Sequence, residues 1–282
     1  MKLHPVPATR PPSKLEFKRY IRRPAHPLVV KGAMDDWPAM HTWSLEFFAS
    51  EFADFPITAY APQFSAFAIC GVETTLASYV AYLRNPADAR IDGTWVAGDP
   101  DVLKRTSLTL YAGNFNPAHP ELGNRDLVFR DVPPMPAFID SWMGRLSPAF
   151  RDACERRQSH YYVYLSATGG MTPLHQDFWK THGFLAQIAG RKEAVLFAPD
   201  LLEELYREST GDVRRMMTDP AFDAVEGWRV ELAPGDLLII PSQWLHFVET
   251  IETSLTYSAA WIDGGNWRAY LRDATEALSR EG

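Results

Sequence analysis

The chain has 282 residues, 46% of them hydrophobic and 22% charged, which is enough to bury a full core and places it in the ordinary globular class. Its 28 Lys and Arg stand against 35 Asp and Glu, and a net charge of −7 supplies no general pull toward a phosphate backbone or an anionic membrane, so neither nucleic acid nor membrane is expected as a partner. Only Cys70 and Cys154 are present, without paired spacing, which excludes a disulfide framework or a thiolate metal site; with no apolar signal core and no apolar run long enough to span a bilayer, a cytoplasmic protein is expected.

Residues 1–14, rich in proline and charge, read as an extended arm with little structure of its own. A short strand follows at Leu28–Val30, then a tryptophan-rich turn. Ser44 can cap a helix over "LEFFASEFA", where Leu45, Phe48 and Phe52 recur at helical spacing. Thr74 or Thr75 opens a second helix in "LASYVAYLRN", which Pro86 brings to a close. These aromatic stripes are assigned to packing. From Thr94 to Pro136 short apolar pieces alternate with "YAGNFNPAHPELGNRD", whose Asn, Gly and Pro content predicts a long irregular loop of the kind that carries binding elements. "PAFIDSWMGRL" and "SPAFRDACERRQ" read as two short helices, the second opened by Ser147 with Pro148 at its first helical position. Residues 15–158 are therefore taken as an N-terminal α/β elaboration.

After His160 the pattern changes to strands. "YYVYLSAT", "FLAQIA", "EAVLFAP", "WRVELAP", "GDLLIIP", "HFVETI" and "SLTYSAAWI" are short apolar or alternating runs between Gly, Pro and polar turns. Seven such strands predict a mainly β fold, a double-sheet jelly roll over 159–265 with flanking N-terminal helices. "DLLEELYRESTGDVRRMM" interrupts the series as a helical or irregular insertion. A helix over 266–282 closes the chain, and its Trp267, Tyr270, Leu271, Ala274 and Leu278 form one apolar stripe. The stripe packs either on the barrel or against a second copy, and a homodimer through this helix is the expectation stated here.

Within the strand region stands "MTPLHQDFWK". In extended chain residues i and i+2 share a face, so His175 and Asp177 would both aim into the barrel mouth. Together they are two of the three ligands of a 2-His-1-carboxylate site, which leaves coordination positions open. His246 in "PGDLLIIPSQWLHFVE" is the third candidate. An isolated H-x-D is weak, and a single buried histidine is more often a hydrogen-bonded core residue; the ordered combination with the later histidine is what points to metal.

In "TPLHQD", "FLAQIAGRKEAVLFAPD", "LAPGDLLIIPSQWLHFVE" and "SLTYSAAWI", and more loosely in "HPLVVKGAMDDWPA", the chain resembles the Jumonji C group of cupin-fold iron- and 2-oxoglutarate-dependent oxygenases. The resemblance is to its small cupin-like branch, which includes the asparaginyl hydroxylase that inhibits hypoxia-inducible factor. It implies that His175, Asp177 and His246 hold Fe(II), that Lys192 anchors the distal carboxylate of 2-oxoglutarate, and that the Thr172 hydroxyl supports the same carboxylate. Tyr111 is a candidate phenol for that pocket or a packing tyrosine. Where the family often carries an asparagine in its last core strand, "SLTYSAAW" offers Ser258 or Ala259. Lys180, Thr181 and His182 are substrate-side candidates or part of a solvated loop, Tyr162 and Tyr164 candidate cavity walls, and Trp179 and Trp244 aromatic flanks of the ligands.

The implied reaction is oxidative decarboxylation of 2-oxoglutarate with O2, coupled to hydroxylation of an unactivated C–H bond. Three readings of the chain follow: hydroxylation of a side chain in a protein or peptide, which is preferred; hydroxylation of a free amino acid or other small metabolite; and a non-catalytic metal-binding cupin. An open trench would favour the first and a lidded chamber the second, with loops 94–136 and 199–228 expected to decide.

Overall fold

The computed structural model describes residues 1–22, 25–62, 68–208 and 213–280. The N-terminal part runs β1 Lys2–Pro5, β2 Ala8–Thr9, α1 Lys14–Arg22, β3 Leu28–Lys31, α2 Ala39–Thr42, α3 Leu45–Glu51, β4 Pro56–Ala61, β5 Cys70–Thr75, α4 Leu76–Leu83, β6 Thr94–Ala97, α5 Pro100–Thr106, β7 Tyr111–Ala112, α6 Arg125–Asp131 and α7 Pro148–Arg157. The barrel part runs β8 Tyr161–Ser166, β9 Met171–His175, β10 His182–Phe197, α8 Leu202–Glu208, α9 Val213–Met216, β11 Glu226–Leu232, β12 Asp236–Ile240, β13 Leu245–Trp261 and α10 Trp267–Ser279.

Two strands build both walls of the jelly roll. β10 spans 16 residues and β13 spans 17, where the sequence reads as two strands in each case. The two pair antiparallel along their whole length, from His182 opposite Trp261 to Phe197 opposite Leu245. β12 pairs with the first half of β10 and β11 with the second, while β8 and β9 pair with opposite halves of β13. Each long strand thus turns a corner and serves both sheets.

The corner lies where "AGR" suggests a break. Bulges fall between Gln187 and Lys192, and Gly190 adopts φ +66°; a Cβ there would sit 2.1 Å from the Thr253 carbonyl oxygen. The bulged carbonyls are not orphaned. Fully buried Gln187 donates its Nε2 to Ala189 O at 2.7 Å and Gly190 O at 3.1 Å, and its Oε1 accepts from Thr256.

The N-terminal arm is extended but paired. β1 lies parallel to β11 and β2 parallel to β3, so the arm supplies edge strands to the barrel. Ser44, Thr75 and Ser147 cap α3, α4 and α7 by accepting the N–H three residues on, as read. The irregular loop read in "YAGNFNPAHPELGNRD" is found over 113–124, while the rest of 94–136 contains β6, α5, β7 and α6; β6-β5-β4-β7 form a separate antiparallel sheet. "PAFIDSWMGRL" forms a single 3-10 turn, Met143–Arg145, rather than a helix. Its Trp142 N–H donates to Ile262 O at 2.8 Å, so the end of the barrel takes a donor that a helix would need.

The stripe on α10 packs within the chain. Tyr270 and Ala274 are buried with Met143, Cys154 and Ile262, and Trp267, Leu271 and Leu278 pack on the same cluster beside Trp142 and Phe150. Packing on its own chain thus buries Tyr270 and Ala274, while Trp267, Leu271 and Leu278 are only partly covered. No helix among the described residues is long and apolar enough to cross a membrane.

Candidate active site

β9 and β13 pair with His175 directly opposite His246, and their ring centroids lie 4.0 Å apart. β9 ends at His175, so Asp177 lies beyond the strand rather than in it. Its backbone stays extended at φ −63°, ψ 149°, which preserves the shared face. Asp177 Oδ1 lies 3.7 Å from His246 Nε2, and one donor atom from each of the three residues falls within 4.8 Å of the others.

The backbone fixes which nitrogen each histidine presents. His175 Nδ1 donates to Pro173 O at 2.9 Å and His246 Nδ1 to Trp244 O at 3.2 Å. A carbonyl can only accept, so both Nδ1 atoms carry hydrogen and in each neutral ring Nε2 is the nitrogen that bears the lone pair. Burial, and next the adjacent His246, push His175 down to about 4; burial pushes His246 down to about 4 as well. Both are neutral, the form that binds metal. Burial moves the Asp177 carboxyl up, against the pull of His175 and His182. The Asp177 carboxylate is given room by Gly183: a Cβ there would lie 2.6 Å from Oδ2. Two imidazoles and a carboxylate on one side of a cavity are a donor set for a divalent first-row transition metal with open positions.

Two cavities meet at His175 and Asp177, and His246 lines the smaller of them. The smaller, about 40 Å³, is lined by Tyr111, Tyr164, Thr172, Lys192, Ser258 and neighbours. Lys192, 1% exposed, donates from Nζ to Tyr111 Oη at 3.1 Å and lies 5.3 and 5.4 Å from the Tyr111 and Tyr164 ring centroids. Burial lowers its pKa to about 7. Apart from Asp177, no carboxylate is among the described residues lining this cavity. A buried cation flanked by hydroxyls fits an anionic ligand. Tyr111 reaches the pocket because α4 grips its strand: Tyr79 Oη donates to Leu165 O and accepts from Ala112 N–H, and Tyr82 Oη accepts from Leu110 N–H. Burial raises the Tyr111 phenol, so it stays a neutral donor, and Thr172 is hydrogen-bonded to it. Ser258 lines both cavities and is hydrogen-bonded to Tyr164.

The larger cavity, about 410 Å³, opens outward past exposed Phe178. Tyr162 and Tyr164 stack at 5.8 Å on one wall, Trp179 and Thr181 form another, and Gln158 Nε2 donates to Tyr162 Oη at 2.6 Å. Lys180 does not line it, and Trp244 is a packing residue whose Nε1 donates to Ala25 O. His182 is buried on Trp261, accepts from Ser242 N–H and lies 3.6 Å from Asp263.

Sequence reasoning missed Thr58, Tyr60, Asn114, Gln158 and His160, all on this cavity. They come from β4, the turn after β7 and the α7–β8 junction, and no local motif marks them. Conversely, none of the described residues of 199–228 lines it; Leu205, Val213, Met216 and Phe222 pack outside the barrel on Val195, Phe197 and Phe247.

The model of a cupin-like domain matches residues 13–263. The chain belongs to the cupin-like domain family. Among its relatives, "2-oxoglutarate and iron-dependent oxygenase JMJD4" of Homo sapiens is 26% identical over 172 residues, covering 56% of this chain and 40% of the relative. "Arginine-specific demethylase JMJ20" of Arabidopsis thaliana is 20% identical over 93% of this chain and 59% of its own length. "Lysine-specific demethylase 8" of Xenopus tropicalis is 22% identical over 91% of this chain and 52% of its own length. The cupin-like chain thus spans 40–59% of these three relatives.

Proposed function

We propose that the protein is an Fe(II)- and 2-oxoglutarate-dependent dioxygenase that hydroxylates an unactivated C–H bond in an amino-acid side chain of a protein or peptide. The observation that carries this reading is the convergence of His175, Asp177 and His246 on the cavity that also holds the buried Lys192 ammonium. Iron and 2-oxoglutarate, once bound, supply the oxidising chemistry, with O2 consumed and succinate and carbon dioxide released.

The chain's own residues do the positioning. The two Nδ1–H bonds hold both imidazoles in the ligating tautomer. Lys192 and the Thr172 and Tyr111 hydroxyls bind the distal carboxylate of 2-oxoglutarate in a pocket too small to keep much water. Tyr162, Tyr164 and Trp179 hold the target group and keep bulk solvent from it.

The larger cavity suits a neutral target. Its described lining offers hydroxyl, carboxamide and aromatic groups, and Asp177 is its one carboxylate. A methylated lysine or arginine, the kind of group in two of the relatives' names, would find the aromatic faces of Tyr60, Tyr162, Tyr164 and Trp179 but no acid except a metal ligand. A carboxamide side chain, which the resemblance to an asparaginyl hydroxylase also suggests, matches the lining better. A volume of about 410 Å³ would hold a free amino acid as well. A peptide is favoured because Thr58, Asn114, Gln158, Ser159 and Tyr162 also line a neighbouring cavity of about 610 Å³, room for the rest of an extended chain.

The test is succinate formation by the iron-loaded protein, followed by mass spectrometry of a peptide pool for a gain of one oxygen. His175→Ala and Asp177→Ala should each abolish succinate formation. Undiminished turnover in both variants overturns the reading.

A further inference from the structure

The turn that follows Asp177 is held in an unfavourable backbone conformation. Trp179 and Lys180 have φ of +51° and +57°, two successive left-handed residues with no glycine. Such residues are unfavourable without glycine and persist only where their surroundings over-determine them. Here the surroundings are the C-terminal helix and its approach, together with the turn between β12 and β13. Asn266 Nδ2 donates to Lys180 O at 2.9 Å, and Ser242 Oγ donates to the same carbonyl at 2.7 Å. The Trp179 ring packs edge-on against Tyr270 at 5.8 Å and lies 6.1 Å from His160.

Those two partners end a buried hydrogen-bonded chain. Burial pushes the Glu155 carboxyl up, but His160, aided by Ser159, more than reverses this and holds it below the usual range. The carboxylate accepts from His160 Nδ1 at 2.6 Å, which leaves Nε2 to accept from the Tyr270 hydroxyl at 3.0 Å. Glu155 on α7, His160 at the start of β8 and Tyr270 on α10 are thereby tied together. Trp179, seated on that tie, is two residues from Asp177 and lines the larger cavity.

We infer that Tyr270 and Asn266 are positioning residues for the metal centre: through the Glu155–His160–Tyr270 chain and the Lys180 carbonyl, α10 holds the Trp179–Lys180 turn left-handed and so fixes the Asp177 carboxylate. None of Glu155, Tyr270 and Asn266 touches the donor atoms. The inference rests on the metal reading above, and its test separates the two.

Cobalt(II), added to the full chain and followed by its visible absorption, is the probe. The parent protein should bind it with an absorption band that Asp177→Ala lacks; a parent that does not bind sinks the metal reading itself. Tyr270→Phe removes one hydroxyl and should weaken cobalt about tenfold, within the range for partners behind metal ligands. Asn266→Asp, which keeps its acceptor but loses the donor to Lys180, should do the same from the other anchor and stands in if Tyr270→Phe does not fold. Lys180→Gly makes a left-handed residue inexpensive. Added to Tyr270→Phe or to Asn266→Asp, it should bring cobalt affinity back to within about threefold of the parent. Variants that lose thermal stability yet bind cobalt as the parent does would overturn the inference, because α10 would then be packing only. Weakened binding that Lys180→Gly fails to restore would overturn it equally, since the loss would not run through the turn.

Discussion

The two cavities that meet at His175 and Asp177 are opposites. The inner one is small, enclosed by barrel strands and Tyr111, and built around one buried cation; the outer one is ten times larger and lined by neutral groups. In the inner cavity charge decides what binds, because the buried Lys192 faces no carboxylate among the described lining residues other than Asp177, itself a candidate metal ligand. In the outer cavity shape and hydrogen bonds decide, because there is no net charge to read beyond the metal ligands. On the proposed reading the inner side holds the co-substrate and the outer side the substrate, and Lys192 and Tyr111 belong to the inner lining alone.

The largest effect is expected where the two sides join. Asp177→Ala removes one of three donors and should abolish both metal binding and succinate formation, read by metal titration and turnover. Gly183→Ala should act on the same carboxylate more weakly: its Cβ falls 2.6 Å from Asp177 Oδ2, so metal affinity should drop about tenfold while the barrel still folds.

On the inner side alone, Lys192→Met should weaken 2-oxoglutarate by roughly tenfold to a hundredfold, the loss of a charge-assisted hydrogen bond of about 1.5–3 kcal/mol. Metal affinity should not change, and the melting temperature of the ligand-free protein should rise, since a buried cation is replaced by an apolar chain. A ligand-free Lys192→Met that melts below the parent would contradict the charge account of this pocket.

The same residue predicts a pH dependence. Lys192 has a folded pKa of about 7, below the unfolded value of 10.5. Above 10.5 both states are neutral at this site; between 10.5 and 7 the unfolded chain alone binds the proton, so stability falls as pH falls and the full cost is present below 7. Affinity for 2-oxoglutarate should run the opposite way, highest below 7 and falling by up to about tenfold per pH unit above it. Calorimetry from pH 6 to 9 reads both slopes, and Lys192→Met should flatten them. The smallest effect is reserved for Tyr111→Phe, which removes one hydroxyl partner of Lys192 and should cost about 1 kcal/mol in 2-oxoglutarate binding, some fivefold.

The inner cavity was far more legible in the sequence than the outer one. His175, His246, Lys192 and Thr172 lie on strands whose apolar runs and turns are explicit, Asp177 follows two residues after the end of one of them, and the structure brings all five to one place. Tyr111 could not be separated from a packing tyrosine, because its position depends on hydroxyls of Tyr79 and Tyr82 about thirty residues upstream. The expected lining from 199–228 proved to lie outside the barrel, whereas Thr58, Tyr60, Asn114, Gln158 and His160 supply the outer wall. Asn114 lies in the loop read as a binding element and Gln158 and His160 lie close to candidate Tyr162, but no local pattern singles out these side chains or Thr58 and Tyr60.

What the sequence determined by itself was the period of each strand, the caps of α3, α4 and α7, and the order of the ligand motif. These depend on interactions within a few residues, through alternation of faces and side-chain bonds to neighbouring N–H groups. What only the tertiary structure decided was the continuity of β10 and β13 through their corner, the packing of α10 on its own protomer, and the outer wall. Each of these depends on which surfaces remain to be buried once the barrel has closed, as when Gly190 meets the Thr253 carbonyl or Tyr270 meets His160. Such contacts join residues 63 and 110 positions apart, and local pattern carries no information about which distant partner an apolar or polar group will find.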